Sequence, residues 1–218
     1  MSARSLGISE PLQGYLIEHS SGPDTVLQEL ARETLERFPE SSEMQIAPEQ
    51  GGFLELLARL VRARFAVEVG TFTGYSAICI ARGLTGDGRL LCIDRSEEWT
   101  GVARRYWSRA GVDDRIELRL GEAAEVLPGL PGDPPVDLAF IDADKAGYPA
   151  YYEELLTRLS PSGLIVVDSV LSGGRVLEPG ESGTAAAIAG FNARVVADER
   201  VDVVMLPVAD GLSLITPR

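Results

Sequence analysis

Two acids and a lysine follow an apolar stretch of the sequence, and their types suit cation binding and proton transfer. Residues 136–141 predict a buried strand, and Asp142, Asp144 and Lys145 come directly after it. Ligands of open α/β sheets bind at the carboxyl ends of the strands, so these side chains can face a bound molecule. In the simpler alternative, Asp142 caps the next helix and the other two are solvated loop charges, because acidic helix caps are common.

Asp168 ends a second predicted strand, residues 164–167, in the same way. If the two strands are neighbours they lie about 4.8 Å apart, and Asp142 and Asp168 then share a small space. Two such carboxylates repel unless one is protonated or a cation bridges them, and Mg²⁺ is the hard ion that oxygen ligands favour. A divalent ion there suits a substrate with two adjacent oxygens. Lys145 becomes the candidate general base, with a solvated surface lysine as the alternative.

A glycine turn over residues 68–75 joins the first predicted strand to its helix. Gly70 permits a tight turn and Gly74 a close approach, but the middle glycine of dinucleotide-binding loops is missing. S-adenosylmethionine has no phosphate groups that must approach the backbone closely, so a loop that binds it needs fewer glycines than a dinucleotide-binding loop. Glu68 and Asp94, which ends the second strand, can bind its polar groups, with Asp94 on the ribose. The alternatives are a structural turn with Asp94 as a helix cap, and an NAD site.

The order of the elements determines where these strand ends meet. From residue 65 onward, predicted strands alternate with helices, which indicates a doubly wound parallel sheet with helices on both faces. Strands 201–206 and 212–215 are joined so closely that they must form an antiparallel hairpin. This seven-stranded α/β outline is that of the Rossmann-like class I methyltransferase fold. We predict one domain, 1–218, in which helices in 1–63 cover the site and offer dimer contacts and 64–218 form the core.

Composition narrows the class of protein. The 218 residues carry a net charge of -13, which opposes nucleic-acid binding. No apolar stretch is long enough for a membrane helix, and the N-terminus does not resemble a signal peptide. Cys79 and Cys92 lie in apolar segments and are expected to be buried thiols in a reducing compartment, so we predict a cytoplasmic protein. His19, the single histidine, is expected at a surface or an interface.

The sequence resembles the cation-dependent O-methyltransferases related to caffeoyl-CoA and catechol O-methyltransferases. The resemblance extends from about Met44 to Pro217. The matching residues are Met44 with Pro48, Glu49 and Gln50, the segments 67–76, 103–115, 140–152 and 168–174, the pair Phe191-Asn192, and the segments 198–200 and 205–212.

The resemblance implies a set of site residues. The expected S-adenosylmethionine site comprises Met44, Glu68, Gly70, Thr73, Ser76, Asp94, Arg95, Ala123, Asp142 and Tyr151. Asp142 and Asp168 are implied as metal ligands and Lys145 as the base. One position departs from the family, which usually has Asp-Asn after the fifth strand with the asparagine oxygen as a ligand. This chain has Asp168-Ser169, and a serine hydroxyl is a shorter and weaker ligand than an asparagine oxygen.

These observations lead to one functional hypothesis and three alternatives. We expect an S-adenosylmethionine-dependent O-methyltransferase, assisted by Mg²⁺, that acts on a small aromatic vicinal diol such as a catechol, a hydroxycinnamoyl ester or a dihydroxybenzoate. A metal-independent O- or N-methyltransferase, a non-catalytic S-adenosylmethionine-binding module and an NAD-linked oxidoreductase remain open. The resemblance also suggests a homodimer. The glycine-containing segment 171–183 is expected to be a mobile rim of the acceptor pocket, or an ordinary surface loop.

Overall fold

The structure, a computed structural model, describes residues 9–218 and contains one seven-stranded sheet. The strand order is β3-β2-β1-β4-β5-β7-β6; β7 is antiparallel to both of its neighbours and the other pairs are parallel. The predicted fold class is therefore confirmed. The strands are β1 Phe65–Val69, β2 Arg89–Asp94, β3 Ile116–Leu120, β4 Val136–Ile141, β5 Leu159–Val167, β6 Val201–Leu206 and β7 Leu212–Pro217.

The helices cover both faces of this sheet. They are α1 Glu10–Glu18, α2 Thr25–Arg37, α3 Pro48–Leu60, α4 Tyr75–Gly83, α5 Glu97–Arg109, α6 Ala123–Val126, α7 Tyr148–Leu156 and α8 Thr184–Val196. One apolar core lies between the sheet and α2 to α5, and a second lies between the sheet and α6 to α8. Cys79 and Cys92 are free, buried thiols, as expected. None of the helices between residues 9 and 218 has the length and apolarity needed to cross a membrane, and the cytoplasmic location stays a prediction.

The predicted rim segment contains a short 3₁₀ helix, Ser172–Leu177. Gly173 and Gly174 have positive φ angles of 62° and 82°, a conformation that glycine adopts without steric cost. The segment therefore has a defined turn next to the end of β5, whereas its mobility remains a prediction.

Hydrogen bonds hold helix α2 against α5 and against the glycine turn after β1. Glu33 accepts hydrogen bonds from Arg105 Nη2 at 2.5 Å and from Tyr106 Oη at 2.9 Å, and the Arg105 bond is the main reason that the pKa of Glu33 falls to about 2. Thr34 Oγ1 donates to Thr73 Oγ1 at 2.9 Å in a buried contact with the glycine turn. Helix α2 is thereby joined both to α5 and to the glycine turn.

Candidate active site

A cavity of about 640 Å³ opens at the carboxyl ends of β1, β2, β4 and β5. The strand order reverses between β1 and β4, and crevices at such points are the usual ligand sites of doubly wound sheets. The sequence-predicted site residues that line it are Met44, Gly70, Thr73, Ser76, Asp94, Arg95, Ala123, Asp142, Lys145, Tyr151, Asp168 and Ser169. Glu68 is the predicted site residue that does not line it.

The glycine turn is held in place by Asp94. The backbone N–H groups of Thr71 and Phe72 donate to Asp94 Oδ2, each at 2.9 Å, and the N–H of Ser96 donates to Oδ1 at 2.8 Å. A carboxylate offers about four acceptor positions, so one position remains for a ligand. The expected contact of Asp94 with a ribose stays a prediction, and the structure adds a second role in shaping the turn.

Glu68 lies beneath the turn rather than in the cavity. Its side chain is fully buried, where Cys92 Sγ donates to Oε2 at 3.3 Å and Oε1 has no hydrogen-bond partner within the described chain. Burial raises the pKa of Glu68 from 4.5 to about 7, although the nearby Ser76 hydroxyl opposes the rise. The sequence places Glu68 near the end of β1 but does not reveal which face of the sheet its side chain enters.

The buried Glu68 predicts an unusual dependence of stability on pH. Its folded pKa lies above its unfolded value, so its favourable contribution is complete below pH 4.5 and is lost as the pH rises through about 7. The shift corresponds to about 3 kcal/mol. In Glu68→Gln, urea unfolding at pH 5 and pH 8 should therefore differ less than in the wild type, by up to about 3 kcal/mol. The exposed Glu40→Gln is the control; an equal effect in both variants would contradict the assignment.

A chain of hydrogen bonds connects Lys145 to both strand-end acids. Lys145 Nζ donates to Asp142 Oδ1 at 2.8 Å and to Tyr148 Oη at 2.5 Å, and Tyr148 Oη donates to the backbone oxygen of Asp168 at 3.0 Å. Burial raises the pKa of Tyr148 well above its ordinary value, so the phenol remains a donor. These contacts occupy two of the three hydrogen positions on Nζ, which leaves one for a molecule in the cavity.

Asp142 and Asp168 are close together, as the sequence predicted. Ile141 pairs with Val167 in the parallel β4–β5 ladder, so each acid follows a member of that pair. The pKa of Asp168 is raised first by burial and then by the Asp142 charge. Within residues 9–218, however, no group of three or more His, Cys, Asp or Glu residues is arranged to hold a metal ion.

Ser169 adopts a backbone conformation that is rare for serine. Its φ is 59°, in the left-handed region where asparagine is found more often than most residues. The N–H of Ser169 donates to Asp168 Oδ1 at 2.6 Å, and the residue lines the cavity. The backbone N–H of Ser169 therefore orients the Asp168 carboxylate, and this role does not depend on what the serine hydroxyl binds.

Several lining residues were not part of the predicted set of site residues. Phe72 and Trp99 form an edge-to-face pair with ring centroids 5.0 Å apart at the cavity wall. Gln50 reaches the cavity from α3. Both carboxylate oxygens of Asp144 accept hydrogen bonds from the chain itself. Tyr151 Oη donates to Oδ1 at 2.5 Å, and the N–H of Gly147 donates to Oδ2 at 2.9 Å. In the sequence, Trp99 follows the strand-end residue Asp94 by five positions, and this spacing indicates an aromatic side chain near that strand end.

The O-methyltransferase family matches residues 17–217, and these residues make up nearly the whole of the described chain. The chain belongs to this family. A probable caffeoyl-CoA O-methyltransferase of Dictyostelium discoideum is 36% identical over 207 residues, covering 93% of this chain and 90% of that protein. A catechol O-methyltransferase of Niastella koreensis is 38% identical over 181 residues, covering 78% and 81%. The O-methyltransferase of Bacillus cereus, solved in complex with SAH, is 30% identical with a TM-score of 0.87, covering 95% and 97%. The chain is thus a methyltransferase.

Proposed function

We propose that the protein is an S-adenosylmethionine-dependent O-methyltransferase that methylates one hydroxyl of a small aromatic vicinal diol. The observation that carries the proposal is the position of the Lys145–Asp142 pair, beside Asp168, at the floor of a cavity large enough for a cofactor and a small acceptor. The SAH complex of the Bacillus cereus relative supports the choice of cofactor.

The residues at the cofactor end suit S-adenosylmethionine. Helix α4 begins at Tyr75, and its first N–H groups lack partners within the helix, so they favour a carboxylate. Phe72 and Trp99 supply the apolar surface that an adenine ring requires.

The chain contributes orientation and proton transfer. When bound, S-adenosylmethionine supplies an electrophilic methyl group. As a neutral amine, Lys145 Nζ donates its two hydrogens to Asp142 and Tyr148, and its lone pair takes the proton of the acceptor hydroxyl, which becomes the third N–H. Holding acceptor and donor in line converts an encounter of two molecules into a reaction within one complex, which lowers the entropic part of the barrier.

A divalent cation fits next to this lysine. Asp142 and Asp168 would hold Mg²⁺, with Ser169 as a weak neutral ligand, because adjacent buried carboxylates favour a bridging cation. The ion would supply positive charge that eases loss of the hydroxyl proton. The second candidate function, a metal-independent O- or N-methyltransferase, is favoured by the serine at 169 and by the lack of a three-acid group among residues 9–218.

The charges around the cavity favour a small acceptor over a polyanionic thioester. The acids that line it are Glu43, Asp94, Glu122, Asp142, Asp144, Asp168 and Asp210. Within the described chain the basic lining residues are Arg95 and Lys145, which pair with Glu122 at 3.7 Å and Asp142 at 2.8 Å. Both cations are already paired with acids, so a phosphate group would meet mainly negative charge, and a neutral or cationic catechol meets less repulsion.

We also propose a homodimer. Helix α1 buries none of its residues and exposes Tyr15, Leu16 and Ile17, and α3 exposes Leu56 and Leu60. Apolar side chains clustered on the helices before the sheet suit a contact between copies. Sedimentation velocity would then report twice the chain mass of 23.4 kDa.

The proposed activity is tested by incubating the protein with S-adenosylmethionine and a panel of catechols, dihydroxybenzoates and hydroxycinnamoyl thioesters, with Mg²⁺ or after exhaustive chelation. We expect mono-methylated catechol with Mg²⁺, and a rate at least about tenfold lower after chelation, since the ion assists loss of the hydroxyl proton. Equal rates would establish the metal-independent alternative. The lack of any methylated diol, with S-adenosylmethionine still bound, would contradict the diol as acceptor.

A further inference from the structure

The loop after β1 contains a tight four-residue turn at the cavity wall. The N–H of Gly74 donates to the backbone oxygen of Thr71 at 2.9 Å, so Phe72 and Thr73 occupy the two central positions of this turn. All four residues line the cavity, and helix α4 begins directly after them. The shape of the turn therefore determines where the first N–H groups of α4 meet a bound molecule.

Phe72 has a backbone conformation that a bulky residue seldom adopts. Its φ is 50°, in the left-handed region, where a residue with a side chain is strained. The N–H of Phe72 donates to Asp94 Oδ2 at 2.9 Å, which is one contact that supports this conformation. A strained backbone persists only where the surrounding structure holds it, so the neighbours of the turn decide whether it keeps this shape.

Helix α2 supplies one contact to each central residue of the turn. Thr34 Oγ1 donates to Thr73 Oγ1 at 2.9 Å, and the two residues are 1% and 0% exposed. Phe38, which follows α2 directly, packs against Phe72 with ring centroids 6.1 Å apart. Thr34 and Phe38 are not among the residues that line the cavity. Both central residues of the turn are thus held from outside the cavity.

Helix α2 is also held by contacts that do not involve the turn. Asp24, the N-cap residue of α2, accepts a hydrogen bond from Arg82 of α4 at 2.6 Å. Glu33 accepts hydrogen bonds from two side chains of α5. Removal of the Thr34 hydroxyl should therefore leave α2 in place and change mainly its contact with the turn.

We propose that Thr34 is a positioning residue for the cofactor and that its hydroxyl, acting through Thr73, holds the turn in the shape that binds S-adenosylmethionine. This inference rests on the cofactor of the proposed function. Without the Thr34 hydroxyl, the buried Thr73 hydroxyl loses a partner and the strained turn relaxes. Fewer molecules then have the binding shape, and the apparent affinity for the cofactor falls in proportion to that fraction.

The proposal is tested by calorimetric titration of the full chain with SAH. We expect Thr34→Val, which keeps the shape of the side chain but has no hydroxyl, to weaken SAH binding by about fivefold or more. Thr34→Ser keeps the hydroxyl and should stay within about twofold of the wild type. Unchanged affinity in Thr34→Val overturns the proposal, and so does a loss in Thr34→Ser that equals the loss in Thr34→Val.

Thr100→Val is the matched control for a lost buried hydroxyl. Thr100 is also a helical threonine with 1% exposure, and its hydroxyl donates to the backbone oxygen of Ser96 at 2.7 Å rather than to the turn. Its SAH affinity should stay within about twofold of the wild type. Thermal melting without cofactor measures the general loss of stability in both variants. An affinity loss in Thr100→Val that equals the loss in Thr34→Val contradicts the positioning role.

Steady-state kinetics supply a measurement that a purely structural role would not change. In Thr34→Val the KM for S-adenosylmethionine should rise, while kcat and the KM for the diol stay close to the wild-type values. If Thr34→Val fails to fold, Phe38→Leu, which loses the ring contact with Phe72, carries the same expectation. A wild-type protein that binds no SAH overturns both this proposal and the cofactor of the proposed function. A wild type that binds SAH, with Thr34→Val unaffected, overturns only the role of Thr34.

Discussion

Replacement of Lys145 by methionine lowers the rate of methyl transfer by about 10²–10⁴-fold, the range for loss of a positioned general base. Methionine keeps a long, flexible, apolar chain but has no group that accepts the hydroxyl proton. The loss should appear in kcat for the diol, with SAH affinity nearly unchanged, because Lys145 Nζ contacts Asp142 and Tyr148 rather than the glycine turn. Single-turnover kinetics with a catechol would measure it.

Tyr148→Phe is the matched control for Lys145→Met. It removes the hydroxyl that links Lys145 Nζ to the backbone oxygen of Asp168, but it keeps the ring that packs 5.6 Å from Phe191, centroid to centroid. Its effect on kcat should be smaller, because the tyrosine positions the base and does not itself take the proton. Full activity in Lys145→Met would remove the base assignment, and equal losses in both variants would make positioning the dominant contribution.

Gly70→Ala should abolish cofactor binding and lower the melting temperature. Gly70 has φ +89°, and a Cβ there would overlap the backbone oxygen of Asp142 and lie 2.7 Å from its carbonyl carbon. The unfavourable φ alone costs about 1–3 kcal/mol for a residue with a side chain. The overlap then forces the β1 turn away from the end of β4, which separates the cofactor site from Asp142 and Lys145.

The control for Gly70→Ala is Gly101→Ala. Gly101 lies within α5, and the described chain leaves open space for 4 Å around the position that its Cβ would take. Alanine should therefore raise stability there by about 0.5–1 kcal/mol through its higher helix propensity. Calorimetric titration with SAH and thermal melting compare the two variants. Wild-type SAH affinity in Gly70→Ala would show that the turn and β4 need not be in contact.

The fold was largely predictable because its signals are local and periodic. Apolar runs separated by helical patterns set the alternation, and the short connection from β6 to β7 required a hairpin. The Asp142–Asp168 pair was predictable only if β4 and β5 were neighbours, a condition that the parallel ladder meets. The division of the chain into one domain with a helical cover stays a prediction.

The other features of the site depend on the directions of side chains and on contacts between residues that lie far apart in the sequence. Sequence places Glu68 near the end of β1, but the pleat directs its side chain beneath the turn toward Cys92. Asp94 was expected to serve a ligand, and most of its acceptor positions are filled by backbone N–H groups instead. Gln50 belongs to a helix that precedes the sheet, so only tertiary packing brings it to the cavity. No local pattern encodes that approach.

The acid-rich lining of the cavity should bind the charged methyl donor more firmly than the uncharged product of transfer. S-adenosylmethionine carries a sulfonium cation, and transfer of its methyl group leaves an uncharged thioether. The carboxylates that hold the donor therefore lose part of their attraction at the moment of transfer, so the spent cofactor is held less firmly than the fresh one. The preference for donor over spent cofactor should shrink as added salt screens the carboxylates nearest the solvent. The same field that recruits the methyl group thus speeds the exchange that begins the next turnover.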